Sequence, residues 1–355
     1  MSARAALVLL LTGCGFQATN AGIDGAPGGD GGNFCLGNAT VTACLAQPPP
    51  TSLTISGTRM IDTDKAGDCG PNAVDSSQYC ILAGNSITIA GGQTLSAHGS
   101  RPLVLMSSGA ITVTGTIDVA GHLLEVPQAT GPGVVPCAAG LAPTNVGGGY
   151  GGSFGSLGGG GGADFNGDPG GVPSGTIVPT TLRGGCDGEA GLDRGGRAGG
   201  GGGGLALLAG TKIQIDGVIN ASGGGGGGST TDNRGGGGGG AGGMIVIDAP
   251  MITGAGGAKI FANGGSGGEG SGGLHGNNGN DAPLDPNLAA LGGAGGSTGG
   301  DGGASANKDG LIDNAAIGGG TGTSAGGGGG GGGGVGVIKR YQGASLPGTV
   351  SPPAS

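Results

Sequence analysis

Apolar and polar residues alternate in short runs along this chain, and the runs recur in a fixed order. One unit opens with Tyr79-Cys80-Ile81-Leu82, continues with Ile87-Thr88-Ile89 and closes with Leu95-Ser96-Ala97. Leu103–Met106, Ile111–Val113 and Ile117–Val119 repeat it. So do Leu205–Leu208, Ile213–Ile215 and Ile219–Ala221, and then Met244–Ile247, Ile252–Gly254 and Ile260–Ala262. In every copy the first two runs start the same distance apart. Leu53-Thr54-Ile55 with Ile61-Asp62-Thr63 forms an earlier partial copy, and Val335–Ile338 begins a last one. Alternation rich in Ile and Val predicts strands with one buried face. Three such strands per unit of roughly two dozen residues, punctuated by Gly, predict the coils of a right-handed parallel β-helix, a solenoid, over residues 53–338. The tight two-residue turns of a meander are missing from the register; a β-sandwich is the alternative architecture. Stacked coils would align Leu53, Ile87, Ile111, Ile213 and Ile252 in one ladder, and Ile61, Leu95, Ile117, Ile219 and Ile260 in another.

Between the copies lie insertions at 122–204, 222–243 and 263–334, which hold most of the 102 glycines. Each leaves after a third strand, at Val119, Ala221 or Ala262, and closes with a glycine run: Gly199–Gly204, Gly235–Gly240 or Gly326–Gly334. Coils in register would therefore emit the insertions as a column on one side. Glycine defaults to flexible coil. Side-chain-free runs can also approach closely and bond laterally in a polyproline II-like form, and an ordered bundle of polyglycine II-like segments is expected here. There is no Gly-X-Y period, which excludes collagen.

Residues 1–13 read as a signal peptide: Arg4 precedes the apolar run Ala5–Leu11, too short to span a bilayer. It ends in Leu11-Thr12-Gly13-Cys14, which resembles the bacterial lipobox and implies lipidation of Cys14 as the membrane anchor. By analogy with lipoproteins generally, Gly15 rather than Asp after that cysteine implies sorting to the outer membrane or cell surface. Residues 14–52, with Pro48-Pro49-Pro50, read as a Cys-bearing tether, and 339–355 as a loose tail. Beyond Cys14 remain Cys35, Cys44, Cys69, Cys80, Cys137 and Cys186, an even set that in an exported chain reads as disulfides. Six cysteines allow fifteen pairings. Cys137 with Cys186 would staple the first insertion, and Cys35–Cys44 and Cys69–Cys80 are the simplest remaining pairs.

Charge and composition narrow the partners. A net charge of −9 argues against nucleic acid. The lack of Trp and an aromatic content of 2% leave few stacking platforms for sugars or bases. Catalytic candidates are sparse. His98 and His122 fall at equivalent exits of adjacent coils with Asp118 nearby, but both also suit polar turn positions. Ser153 and Ser156 lack the strand-to-helix elbow of a hydrolase. Thr112, Thr114 and Thr116 alternate on one strand only, which is ordinary strand propensity. No cofactor is required, and calcium is the one cation the loops suit. Asp62, Asp64 and Asp68 form one set of hard oxygen ligands, and Asp164, Asn166 and Asp168 another. Ser305–Asp313 resembles the first part of an EF-hand loop, with Asn307, Asp309 and Asp313 at liganding positions and Gly310 at the turn. It departs from that pattern at Ser305 and Ala316. Solvated turn residues, which tolerate left-handed conformations, account for all three sets more simply.

Together, the lipobox, the tether, Gly99–Leu105, Leu182–Cys186 and the glycine runs resemble a group of predicted glycine-rich lipoproteins of myxobacteria. That group carries no established function, so the resemblance transfers no catalytic residue. The runs also resemble the polyglycine II bundles of glycine-rich antifreeze and phage tail-fibre proteins. The expectation is a lipid-anchored structural or adhesive surface protein that contacts other surface proteins or extracellular polysaccharide. The alternative is a β-helix enzyme or binder acting on extracellular polysaccharide.

Overall fold

The structure, a computed structural model, describes residues 33–70, 78–123, 130–192, 195–296, 298–308, 313–314, 318–343 and 345–355. Among them there is no helix; the chain is all-β, and three parallel sheets form its centre. The first sheet holds Cys80–Gly84, Leu103–Ser107, Gly204–Ala209, Met244–Asp248 and Val337–Arg340. The second holds Leu53–Ile55, Ile87–Ile89, Ala110–Val113, Lys212–Ile215 and Met251–Gly254. The third holds Arg59–Asp62, Thr94–His98, Thr116–Asp118, Val218–Asn220, Lys259–Phe261 and Thr349–Ser351. The chain visits them in one cyclic order as far as Val337–Arg340, after which it passes to Thr349–Ser351 without a strand in the second sheet, an arrangement consistent with a solenoid. Alternate residues of each strand point to one shared core: Leu105 and Leu207 from the first sheet, Ile111 and Ile213 from the second, and Ile117 and Ile219 from the third.

The second-sheet ladder runs as expected, Leu53 to Ile87 to Ile111 to Ile213 to Ile252. In the third, Leu95, Ile117, Ile219 and Ile260 align, but Ile61 pairs with Ala97, and Arg59 takes the place beside Leu95. The first sheet departs by one residue in two copies. Cys80, not Tyr79, lies beside Leu103, and Ile245, not Met244, beside Leu205. The last copy starts its strand at Val337, which pairs with Met244. These runs are apolar at every position because the sheet is buried on both sides, so alternation could not fix their phase. Its outer face carries a second cluster in which Ile81, Val104, Met106, Ala206, Leu208 and Val246 meet Phe154, Leu182 and Cys186.

Part of that cover comes from the segment expected to be a loose tether. Phe34–Gly37 and Thr42–Leu45 pair as an antiparallel ribbon, and Val41, Ala43 and Leu45 bury against the first sheet. The C-terminal segment is likewise engaged, since Thr349–Ser351 extends the third sheet and Ser355 bonds to Ile338 and Arg340. Disulfides join Cys35 to Cys44, Cys69 to Cys80 and Cys137 to Cys186, the same three pairs set out above.

The insertions pack together through their backbones. In the run ending at Gly336, residues 327, 330, 333 and 336 donate to Ser271, Gly268, Gly265 and Ala262. Residues 328, 331 and 334 donate to Val146, Gly149 and Gly152, and Gly329 donates to Gly320. The same run accepts from 236, 239 and 242, from 159 and 162, and from 300, 303 and 306. Bonding direction thus repeats every three residues, as in a threefold extended helix. The run has a neighbour on every side. Side chains would not fit between such neighbours: a Cβ on Gly333 would lie 2.5 Å from the carbonyl carbon of Gly240.

Candidate functional site

Among the described residues, a small cleft and a histidine held between two carboxylates are the candidate sites. The first is a cleft of about 210 Å³ beside the Cys137–Cys186 disulfide, lined by Tyr150, Ser153, Ser174, Asp187 and Glu189. The disulfide fixes its wall, and Arg183 fills the space behind: it donates to Val135 O and Cys137 Sγ, both at 3.0 Å, and stacks on Phe154 with its guanidinium carbon 5.5 Å from the ring centre. Burial lowers the Arg183 pKa from its ordinary value. Tyr150 is buried and its hydroxyl accepts from Gly140 N at 3.0 Å. Burial, with the nearby Glu189 charge, raises its pKa despite that bond. Asp187 is open to solvent on one side, but the protein packed around its carboxyl raises its pKa against the opposing bond from Gly201 N at 2.7 Å. Two carboxyl groups, a phenol and serine hydroxyls make a small acceptor-rich recess. Its volume is below that of the usual small-molecule pocket, so it suits at most one small polar molecule.

The second place is His122. Its Nε2 lies 3.2 Å from Asp118 Oδ2 and its Nδ1 3.4 Å from Asp281 Oδ2. Asp118 also accepts from Ala120 N and Asn220 Nδ2, and Asp281 from Leu123 N and Gly225 N. Burial alone would lower the His122 pKa, but the two carboxylates outweigh it and carry it up to about 10. Burial likewise works against the Asp281 charge, yet the His122, Gly225 and Leu123 bonds bring its pKa below the ordinary carboxylate value. With both ring nitrogens engaged, His122 is an imidazolium tie between the third sheet and the insertions, with no free nitrogen for proton transfer or a metal.

The other sequence candidates are dispersed. His98 faces Asp62 at 4.0 Å, so each histidine has its own carboxylate and the two do not form one site. Ser153 accepts from Gly158 N, and Ser156 from Val335 N. Among the first calcium set, Asp62 accepts from Asp64 N, Asp68 accepts from Asp62 N, and Asp64 takes both the amide and the hydroxyl of Ser100. In the second, buried Asp164 turns Oδ1 onto the amides of Asn166 and Asp168, while Asp168 accepts from Asn145 and Asn166 is exposed. In the third, Asn307–Lys308 pairs with Asp313–Asn314 as a small antiparallel ribbon, and Asp309 lies outside the described residues. Cys14 lies outside them too. Among the described residues no three His, Cys, Asp or Glu side chains are arranged to hold a metal ion. Sequence reading passed over Asp281, Asp187, Glu189 and Tyr150, all of which sit in glycine-rich insertions with no periodicity to place them. Comparison with protein-family models, with curated proteins and with solved structures finds no match for this chain.

Proposed function

We propose that this protein is a lipid-anchored structural or adhesive protein of the bacterial outer membrane or cell surface. Its shaft is a right-handed parallel β-helix with a polyglycine II-like bundle along one side. The observation that carries this reading is the threefold rotation of hydrogen bonds through the glycine runs. Such packing uses the backbone of each run as both donor and acceptor in several directions, which makes a stiff body from residues that otherwise give a flexible linker. Three disulfides suit an oxidising compartment outside the cytoplasm. The lipobox at Cys14 supplies the anchor, and no nucleic-acid partner is invoked. The test is to compare cells with and without the protein for surface attachment and aggregation, after detergent partitioning of the wild-type and Cys14→Ser chains. Lost attachment together with a shift of Cys14→Ser to the aqueous phase supports the reading. Unchanged attachment and partitioning overturn it.

The acceptor-rich cleft favours a second reading, a binder or enzyme acting on extracellular polysaccharide through a single terminal sugar unit, which is as much as the recess holds. A glycan array probed with the mature chain and with Asp187→Asn separates this reading from the first: a sugar bound by the former and lost by the latter selects it.

A further inference from the structure

Where the N-terminal ribbon meets the last strands of the first sheet, Asn38 bonds to Asp248 while Lys339 reaches the same ribbon turn at Thr40. Asn38 begins the ribbon turn. Its Oδ1 accepts from the amides of Thr40 at 2.9 Å and Val41 at 3.2 Å, and its Nδ2 donates to Asp248 Oδ2 at 2.9 Å. The two amide donors leave no doubt which end of the side chain is oxygen. Asp248 ends its strand and is 5% exposed, and its Oδ1 is buried with no hydrogen-bond partner. Lys339 lies beside Val246 on the neighbouring strand, and the two-residue period puts its side chain on the same outward face as Asp248. The Lys339 amine donates to Pro179 O at 3.0 Å and lies 3.4 Å from Thr40 Oγ1. Thr40 is thus touched by the amine through its hydroxyl while its amide holds the Asn38 carbonyl. Tyr341, bonded to the same Thr40 hydroxyl, closes the group on its far side.

We propose that this group forms an isopeptide bond between Lys339 Nζ and Asn38 Cγ, with Asp248 as the proton carrier. A swing of the lysine side chain brings the amine from the Thr40 hydroxyl to the Asn38 carbonyl carbon. Asp248 Oδ1 takes one proton from the Nζ ammonium, and the freed lone pair bonds to Cγ as the carbonyl pair moves onto Oδ1 of Asn38. The Thr40 and Val41 amides already point at that oxygen, as donors to a developing oxyanion should. Asp248 hands that proton to Nδ2, with which it is already in contact, takes the second Nζ proton as the Cγ–Nδ2 bond breaks, and passes it to the departing ammonia, which leaves as ammonium. One ammonium and one primary amide give one secondary amide and one ammonium ion, so no oxidant, reductant or co-reactant is needed. Burial raises the Asp248 pKa against the Asn38 bond and the nearby Gln342 amide, which brings the carboxyl nearer the range where it both takes and returns a proton. The bond would close the chain covalently from the ribbon that follows the N-terminal segment to the last strand of the first sheet. It rests on this local geometry and stands or falls independently of the surface function.

The test is peptide mapping by mass spectrometry of the reduced full chain purified from cells. The expected result is a branched peptide joining the Asn38 and Lys339 segments, lighter than their sum by one ammonia, with trypsin failing to cut after Lys339. Lys339→Arg and Asp248→Asn should each return the two segments as separate linear peptides. The reduced, boiled wild-type chain should also migrate faster in SDS gels than Lys339→Arg, because a closed loop stays compact. Lys339→Arg retains the charge and the strand, so its folding is checked by an unchanged far-ultraviolet spectrum. Recovery of unmodified linear peptides from the wild-type chain overturns the proposal. So does conversion of Asn38 to Asp, which would show water as the nucleophile.

Discussion

Replacing Gly239 by alanine tests how much the protein depends on its bare backbone runs. Gly239 donates to Gly331 O and accepts from Gly152 N, both at 2.9 Å, and its third side faces the run containing Gly265. A Cβ there would lie 2.5 Å from the Gly265 carbonyl carbon and 2.7 Å from Ser266 O, where ordinary contact begins at 3.4 Å. Relief requires those two runs to part by about 1 Å. The bonds Gly265 N to Gly240 O and Gly268 N to Gly237 O, each 2.9 Å, hold them together. Stretched to about 3.9 Å, neither remains a hydrogen bond. Each buried pair left unsatisfied costs about 1–3 kcal/mol. The lower backbone entropy of unfolded alanine offsets about 0.4–1 kcal/mol. The net destabilisation is therefore about 3 kcal/mol. Gly256 is the control, because a Cβ there meets nothing within 4 Å. Gly256→Ala should be neutral or stabilising by up to about 1 kcal/mol. Urea unfolding of both variants with disulfides intact is the assay, and the two agreeing within about 0.5 kcal/mol would refute the reasoning.

The remaining predictions concern the ties between segments. Removing the Cys137–Cys186 bond as the double serine variant should cost about 4 kcal/mol by loop closure, given a separation of 49 residues, and should loosen the cleft wall in proteolysis. An unchanged proteolysis pattern would count against it. The His122 pKa is raised from 6.5 to about 10, so the stability it supplies is fully present below pH 6.5 and is lost as pH rises through about 10. Asp281, with its pKa lowered, contributes above its unfolded value and loses that contribution as pH falls through its folded one. Nuclear magnetic resonance titration of the His122 ring should show the raised value, and Asp281→Asn should bring it down; a ring titrating near 6.5 in the wild type contradicts the tie. Cys14→Ser should abolish lipidation, read as loss of metabolic lipid labelling, and full labelling of the variant excludes the anchor.

Much of the core was legible because its strands have one apolar face. Ile87, Ile111 and Ile213 alternate with Thr88, Thr112 and Gln214, and that contrast fixes both strand and phase. Leu103-Val104-Leu105-Met106 offers no contrast, since Leu103 and Leu105 enter one core and Val104 and Met106 another. Neighbouring copies could then be slipped by one residue with no penalty visible in the sequence. The ribbon left a weak signal, Val41, Ala43 and Leu45 alternating with Thr42 and Cys44, which the surrounding Gly and Pro obscured. Asp281 gave none: it meets His122 across 159 residues of mostly glycine-rich chain. The glycine runs disclosed their packing only through composition, because a threefold backbone lattice has no side-chain pattern to read.

The central claim is that those runs form a hydrogen-bonded body, and amide hydrogen exchange tests it most directly. Slow exchange at the bonded amides of Gly199–Gly204, Gly235–Gly240 and Gly326–Gly334 is the expected result, with protection approaching that of Leu205–Leu208 in the first sheet. Exchange at the unprotected rate at all three runs, while Leu205–Leu208 remains protected, would contradict it.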